Sequence, residues 1–156
     1  MSKIIVTKKE ELVGKKKEEH QQYQFEKFEV TKRSDFSQCY VAIYEIPPKK
    51  SSYPLHYHQA NTEAFYIISG TGLLETLEDQ YQLEAGSIIV CPPGKEGAHK
   101  ITNTSETEKL VYIDFDAISS PDIVHYPDSK KIGVIVHNES SSFYREEDEV
   151  DYYDGE

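Results

Sequence analysis

From Phe28 onward the chain is a series of short runs in which β-branched and aromatic residues alternate with polar ones, cut by Pro, Gly and Asn. This period of two predicts strands near 27–33, 38–46, 54–58, 62–69, 72–76, 79–83, 87–91, 98–103 and 108–115. Ser69-Gly70-Thr71-Gly72 and Glu78-Asp79-Gln80 read as turns, and Ala85-Gly86 and Pro92-Pro93-Gly94 bracket the strand from Ser87 to Cys91. Short strands at such close spacing point to a sandwich or barrel. No helical period of about ten residues lies among them, which excludes an α/β fold.

The two ends have a different texture. Lys8-Lys9-Glu10-Glu11 and Lys15-Lys16-Lys17-Glu18-Glu19 read as a solvated arm, either a marginal helix broken at Gly14 or without regular structure. After Asp116 the alternation loosens. Tyr126-Pro127-Asp128-Ser129 is a turn, and 131–137 reads as one further strand. From Glu139 the tail carries eight acids against one Arg, yet Phe143, Tyr144, Val150, Tyr152 and Tyr153 are interleaved with them. That mixture suits a segment docked on its own barrel or on a partner subunit. The expected organisation is a charged arm over 1–26, a barrel over 27–117 and an extension over 118–156.

Two clusters of metal-ligating residue types stand a few strands apart. The first is His56-Tyr57-His58-Gln59-Ala60-Asn61-Thr62-Glu63, followed by Gly70; the second runs from Gly86 through Pro92 and Gly94 to His99 and Asn103. Side chains alternate across a strand, so His56 and His58 share one face and Tyr57 takes the other. The short polar link to Glu63 predicts an antiparallel neighbour that sets this carboxylate beside the pair. His99, on a later strand, would face them across the lumen of a closed barrel. Three imidazoles and one carboxylate suit one divalent transition metal (Zn, Fe, Mn or Ni) per chain, with room for water or substrate. His20, His125 and His137 lack such company and read as ordinary surface residues.

Composition narrows the partners. A net charge of −11 argues against nucleic acid, whose phosphates need clustered Lys and Arg. No apolar run is long enough for a membrane helix, and the first 20 residues lack the apolar stretch of a secretory signal. The two cysteines, Cys39 and Cys91, read as reduced thiols, so a cytoplasmic location is expected. Open edge strands and interleaved tyrosines predict a two-fold homodimer.

The double motif resembles that of the cupin superfamily. His56, His58, Glu63 and Gly70 match the first cupin motif, and Gly86, Pro92, Gly94, His99 and Asn103 match the second. Two departures stand out. Lys50 occupies the place of the first motif's leading glycine, and four residues rather than two separate Gly94 from His99. The resemblance covers about residues 35–116. It implies an all-β, double-stranded β-helix (jelly-roll-like) barrel with His56, His58, Glu63 and His99 as metal ligands, and dimers. The chain's ending is similar to that of bacterial cupins without assigned function.

Two functional readings follow. One is a metal-dependent enzyme (an isomerase, dioxygenase or lyase) acting on a small polar molecule such as a sugar or oxoacid. The other is a non-catalytic binding or sensing module that captures a small molecule at the same metal. Tyr40, Tyr44, Tyr66 and Tyr112 are acid–base candidates by position, but none is singled out as catalytic. A titratable side chain beside the open coordination position would favour turnover; an apolar lumen would favour capture.

Overall fold

The computed structural model describes residues 4–32, 38–137, 139 and 141–156. Its strands, in chain order, are β1 (Gly14–Lys17), β2 (Phe25–Glu29), β3 (Cys39–Ile46), β4 (Tyr57–His58), β5 (Glu63–Ser69), β6 (Gly72–Glu75), β7 (Gln80–Leu83), β8 (Ile88–Cys91), β9 (Lys100–Asn103), β10 (Leu110–Ala117), β11 (Asp122–Tyr126), β12 (Lys131–Ile135) and β13 (Ser142–Arg145). They form a six-stranded sheet in the order β1-β2-β3-β10-β5-β8, a four-stranded sheet β13-β12-β11-β4 and a three-stranded sheet β7-β6-β9. All strand pairings among the described residues are antiparallel. The fold is the all-β barrel the alternation predicts, with only short 3-10 turns between strands among the described residues.

The barrel interior follows from strand parity. Tyr40, Ala42, Tyr44 and Ile46 of β3, Phe65 and Ile67 of β5, and Leu110 and Tyr112 of β10 all point inward and are buried. Leu74, Leu83, Ile89 and Ile101 close the same core from the smaller sheet and β8. Tyr44 and Tyr112 are cross-strand partners, and their rings stack at 5.3 Å and 17°.

Three strands appear where no alternation predicts them. The charged arm supplies β1, whose Lys15, Lys16 and Lys17 pair with Lys27, Glu26 and Phe25 of β2. An edge strand open to water needs no apolar face, so an alternation search passes over it. Lys15 also ion-pairs with Glu29, and Lys9 and Lys109 both ion-pair with the buried Glu45. Burial works against that charge, but the two ammonium groups hold the Glu45 carboxyl below its ordinary range. The extension supplies the other two, β11 and β13. The strand expected at 27–33 lies at Phe25–Glu29 instead, and Arg33 falls outside the described residues. The strand expected at 54–58 shrinks to Tyr57–His58, since Pro54 has no N–H to offer a ladder. Both cysteines are free thiols, Cys39 exposed and Cys91 buried.

Asn103 ends β9 inside the barrel with no exposed surface. Its Nδ2 donates to Ile46 O and Glu108 O, each at 2.8 Å, and its Oδ1 accepts from Ser105 N at 2.9 Å. The amide thus ties β3 to the loop entering β10. Replacing Asn103 with Ala leaves buried carbonyls without donors, at a cost of about 2–4 kcal/mol. Chemical denaturation should show that loss with an unchanged m-value; a loss below about 0.5 kcal/mol contradicts the role.

Candidate functional site

The four histidine and glutamate side chains singled out by the motifs meet inside the barrel. Glu63 Oε2 lies 3.8 Å from His56 Nε2, 3.4 Å from His58 Nε2 and 3.2 Å from His99 Nε2. His56, Glu63 and His99 are buried, and His58 is half-buried. The routes by which they arrive differ from the strand logic of the sequence. His99 does not face His56 across the lumen: the two are paired neighbours, with His56 N to His99 O at 3.2 Å and His99 N to His56 O at 2.9 Å. Glu63 is not on a strand paired with β4. It begins β5 in the six-stranded sheet, between Cys91 and Asp116, and reaches the imidazoles from the other sheet.

Each imidazole is aimed by a bond at its Nδ1. His56 Nδ1 lies 2.9 Å from Pro54 O, His99 Nδ1 2.9 Å from Gly97 O, and His58 Nδ1 2.5 Å from Asp122 Oδ2. All three acceptors place a ring proton on Nδ1 and direct the Nε2 atoms at Glu63. Glu63 Oε2 is itself buried and takes no hydrogen bond. A buried carboxylate oxygen without a hydrogen-bond partner, ringed by three imidazole nitrogens, is the arrangement a cation would complete. Adjacent ligands on an ion with bonds of about 2.1 Å stand roughly 3 Å apart, so the observed spacing is slightly open but compatible. The donor set suits a divalent transition ion.

The longer loop before His99 helps to hold its ring. Its extra residues form a 3-10 turn over Lys95–Gly97, with Gly97 N to Gly94 O at 3.0 Å and Ala98 N to Lys95 O at 3.1 Å. The turn delivers the Gly97 carbonyl to His99. It also packs against Pro92, where a Cβ on Gly97 would stand 1.8 Å from Pro92 O, so only glycine fits.

Without a metal, the protonation of the cluster is uneven. Burial, then the neighbouring His99, pushes His56 down to about 4. Burial also opposes charge on His58, but the Asp122 hydrogen bond and Glu63 outweigh it and lift His58 to about 10. Burial alone would raise Glu63, yet His99 and His58 hold it well below the usual carboxylate range.

The site opens into a cavity of about 210 Å³. Its wall includes Tyr44, Tyr53, Asp114, Asp116, Asp122 and Tyr126. Glu63, Asp114 and Asp116 carry carboxylate oxygens within 4.8 Å of one another. Tyr44 and Tyr53 share a hydroxyl–hydroxyl hydrogen bond of 3.2 Å, and Tyr126 stacks on His56 with centroids 6.0 Å apart. Burial raises the pKa of Tyr44, Tyr53, Tyr112 and Tyr126, so each enters the neutral range as a proton donor, not as a base.

Sequence reasoning placed some tyrosines wrongly and overlooked others. Tyr66 is 43% exposed on the outer face, because Glu63 fixes the inward parity of β5 and Tyr66 has the opposite one. Tyr40 is buried, with its hydroxyl donating to Glu29 Oε1 at 3.0 Å away from the cavity wall. Tyr53, Tyr126 and Asp122 were not anticipated. Asp114 and Asp116 had a readable signal, since they share the inward parity of Tyr112 on β10.

Residues 42–116 match the family model described as Cupin domain. No curated protein sequence matches the chain. Among solved structures, the fold is similar to a protein from Acidithiobacillus ferrooxidans with a provisional sugar phosphate isomerase assignment, at 24% identity and TM-score 0.71 over 81% of this chain and 80% of that one. It is similar to a sugar phosphate isomerase of the cupin superfamily from Silicibacter pomeroyi, at 16% identity and TM-score 0.73 over 83% and 82%. A predicted oxalate decarboxylase from Thermotoga maritima shares the fold at 16% identity and TM-score 0.62, over 73% of this chain and 99% of that one. At these identities the likeness is one of fold.

Proposed function

We propose, from the match of residues 42–116 to the cupin domain, that the chain is a cupin and a metal-dependent enzyme acting on a small polar molecule such as a sugar or oxoacid. His56, His58, Glu63 and His99 are the proposed ligands of one divalent transition ion. A bound ion of this kind supplies Lewis-acid polarisation of a substrate oxygen. The observation that carries the reading is the chemistry of the cavity wall. Asp114 and Asp116 stand beside Glu63 as carboxylates able to take a proton, and Tyr126 and Tyr53 flank His56 as hydroxyl donors. A lumen built only for capture needs no such acid–base pairing. Proton transfer next to a polarised carbonyl favours an isomerase or lyase over a dioxygenase.

The proposed assembly is a homodimer of two copies joined through the outer face of the six-stranded sheet. Most residues facing outward on β3, β10, β5 and β8 are apolar, where water-facing strands are ordinarily polar, and Ile5, Val6 and Leu12 of the arm stand over Val41, Ile43 and Ile113. Register sets two cross-strand rows, Ile43–Ile113–Tyr66–Ile88 and Val41–Phe115–Ala64–Val90. Ile88 and Val90, on the edge strand β8, are 75% and 63% exposed. This face, more than the tyrosine-bearing tail, carries the expectation of a dimer.

Three measurements test these proposals. Elemental analysis of untagged protein should find about one divalent transition metal per chain, lost in His58→Ala; metal content unchanged in that variant removes the ligand assignment. Metal-loaded protein incubated with a panel of sugars and small oxoacids should convert at least one, and the chelated protein none; stoichiometric binding without product returns the protein to the sensing class. Light scattering at micromolar concentration should give twice the chain mass, and Ile88→Glu with Val90→Glu should give a folded monomer. A monomeric wild-type protein overturns the dimer.

A further inference from the structure

The three imidazoles are not anchored alike. His56 and His99 each hold the backbone carbonyl two residues upstream, Pro54 O and Gly97 O, so their own loops aim them. His58 is held by a carboxylate 64 positions away, that of Asp122. Asp122 is 1% exposed, and both of its oxygens are engaged: Oδ2 with His58 Nδ1 at 2.5 Å, and Oδ1 with Ala60 N at 3.0 Å. It therefore clamps a proposed ligand and the turn leading to Glu63 in one grip. The clamp rides on β11, which pairs with β4 through Val124 and His58, and Gln59 N donates to Ile123 O at 2.8 Å. On its other side Asp122 pairs with Ile135 of β12. Both strands lie beyond residues 42–116, the part that matches the cupin model.

We propose that Asp122 is the positioning residue of the metal centre: it fixes the tautomer and aim of His58, so the extension after the cupin domain completes the site. This assignment rests on the metal reading above. An anionic acceptor at Nδ1 strengthens Nε2 as a donor more than a neutral carbonyl does. The two donors facing Asp122, His58 Nδ1–H and Ala60 N–H, also require two acceptor oxygens. An asparagine offers only one. If its oxygen accepts from His58, its NH₂ confronts the Ala60 N–H. If its oxygen accepts from Ala60, its NH₂ donates to His58 Nδ1, moves the ring proton to Nε2 and removes the lone pair aimed at the metal. Alanine does not impose the wrong tautomer, because water from the adjoining cavity, whose wall includes Asp122, can accept from both donors.

The order of effects is therefore the reverse of steric similarity. Zinc affinity, measured by competition with a chromophoric chelator, should fall about 10–100-fold in Asp122→Asn, and less in Asp122→Ala. The Co²⁺-loaded Asp122→Asn protein should show a changed visible ligand-field spectrum, and Asn103→Ala, destabilised without touching an imidazole, should keep wild-type zinc affinity and spectrum. A merely structural Asp122 predicts the opposite: asparagine milder than alanine, with zinc affinity tracking melting temperature across all three variants. That result, or wild-type affinity in Asp122→Asn, overturns the proposal. If Asp122→Asn does not fold, the comparison of Asp122→Ala with Asn103→Ala decides: equal affinity overturns the role, weaker affinity in Asp122→Ala supports it. Wild-type protein that binds no zinc overturns the metal reading itself, and this assignment with it.

Discussion

A carboxylate inside a barrel is costly unless something positive answers it, and Glu63 is where this molecule meets that cost. Its Oε2 is buried, takes no hydrogen bond and sits within 3.8 Å of three imidazole nitrogens. The surroundings are arranged around that atom. β5 brings it from the large sheet, β4 and the segment before β9 bring the imidazoles from the facing side, and the three Nδ1 anchors stop the rings from turning away. In the metal-free chain the raised pKa of His58 supplies the answering charge. A divalent ion would answer it more fully, which is the physical basis for reading the cluster as a metal centre and not as a satisfied polar core.

The residues around the cluster divide by chemistry. Toward the core lie Phe65, Ile101 and Tyr112, which exclude water and keep the electrostatics strong. Toward the cavity lie Asp114, Asp116, Tyr53 and Tyr126. Burial keeps the tyrosines protonated, so hydroxyl donors and carboxylate acceptors share one wall. Such a division is expected of a site that moves protons, and it gives the enzyme reading its weight over simple capture.

How much of this was legible in the chain depended on whether the signal was local. The His-x-His pair and Glu63 lie within eight residues, and parity alone puts both histidines on one face. The 3-10 turn at Lys95–Gly97 looked like a defect in the spacing before His99, yet it supplies the carbonyl that aims the ring. Pairings between strands were not legible: His99 beside His56, and Glu63 opposite them, follow from sheet closure and not from sequence order. β1 lacked an apolar face to detect, and in β11 the adjacent Ile123 and Val124 break the alternation. Asp122 was the least legible of all, since nothing near it in sequence hints at a partner 64 positions away.

The extension also changes what a domain boundary means here. The alternation that defines the barrel ends near Ala117, and residues 118–156 read as an appendage. Yet β11 pairs with the strand that carries His58, contributes Asp122, Val124 and Tyr126 to the cavity, and is itself backed by β12, which adds Ile135. Removing that appendage would strip one wall from the cavity and leave His58 without its Nδ1 acceptor. The barrel supplies the proposed ligands together with Tyr53, Asp114 and Asp116, and strands added after it close the cavity around them with Asp122, Val124 and Tyr126. Likeness in the barrel is therefore a guide to fold, while the chemistry depends on both parts of the wall.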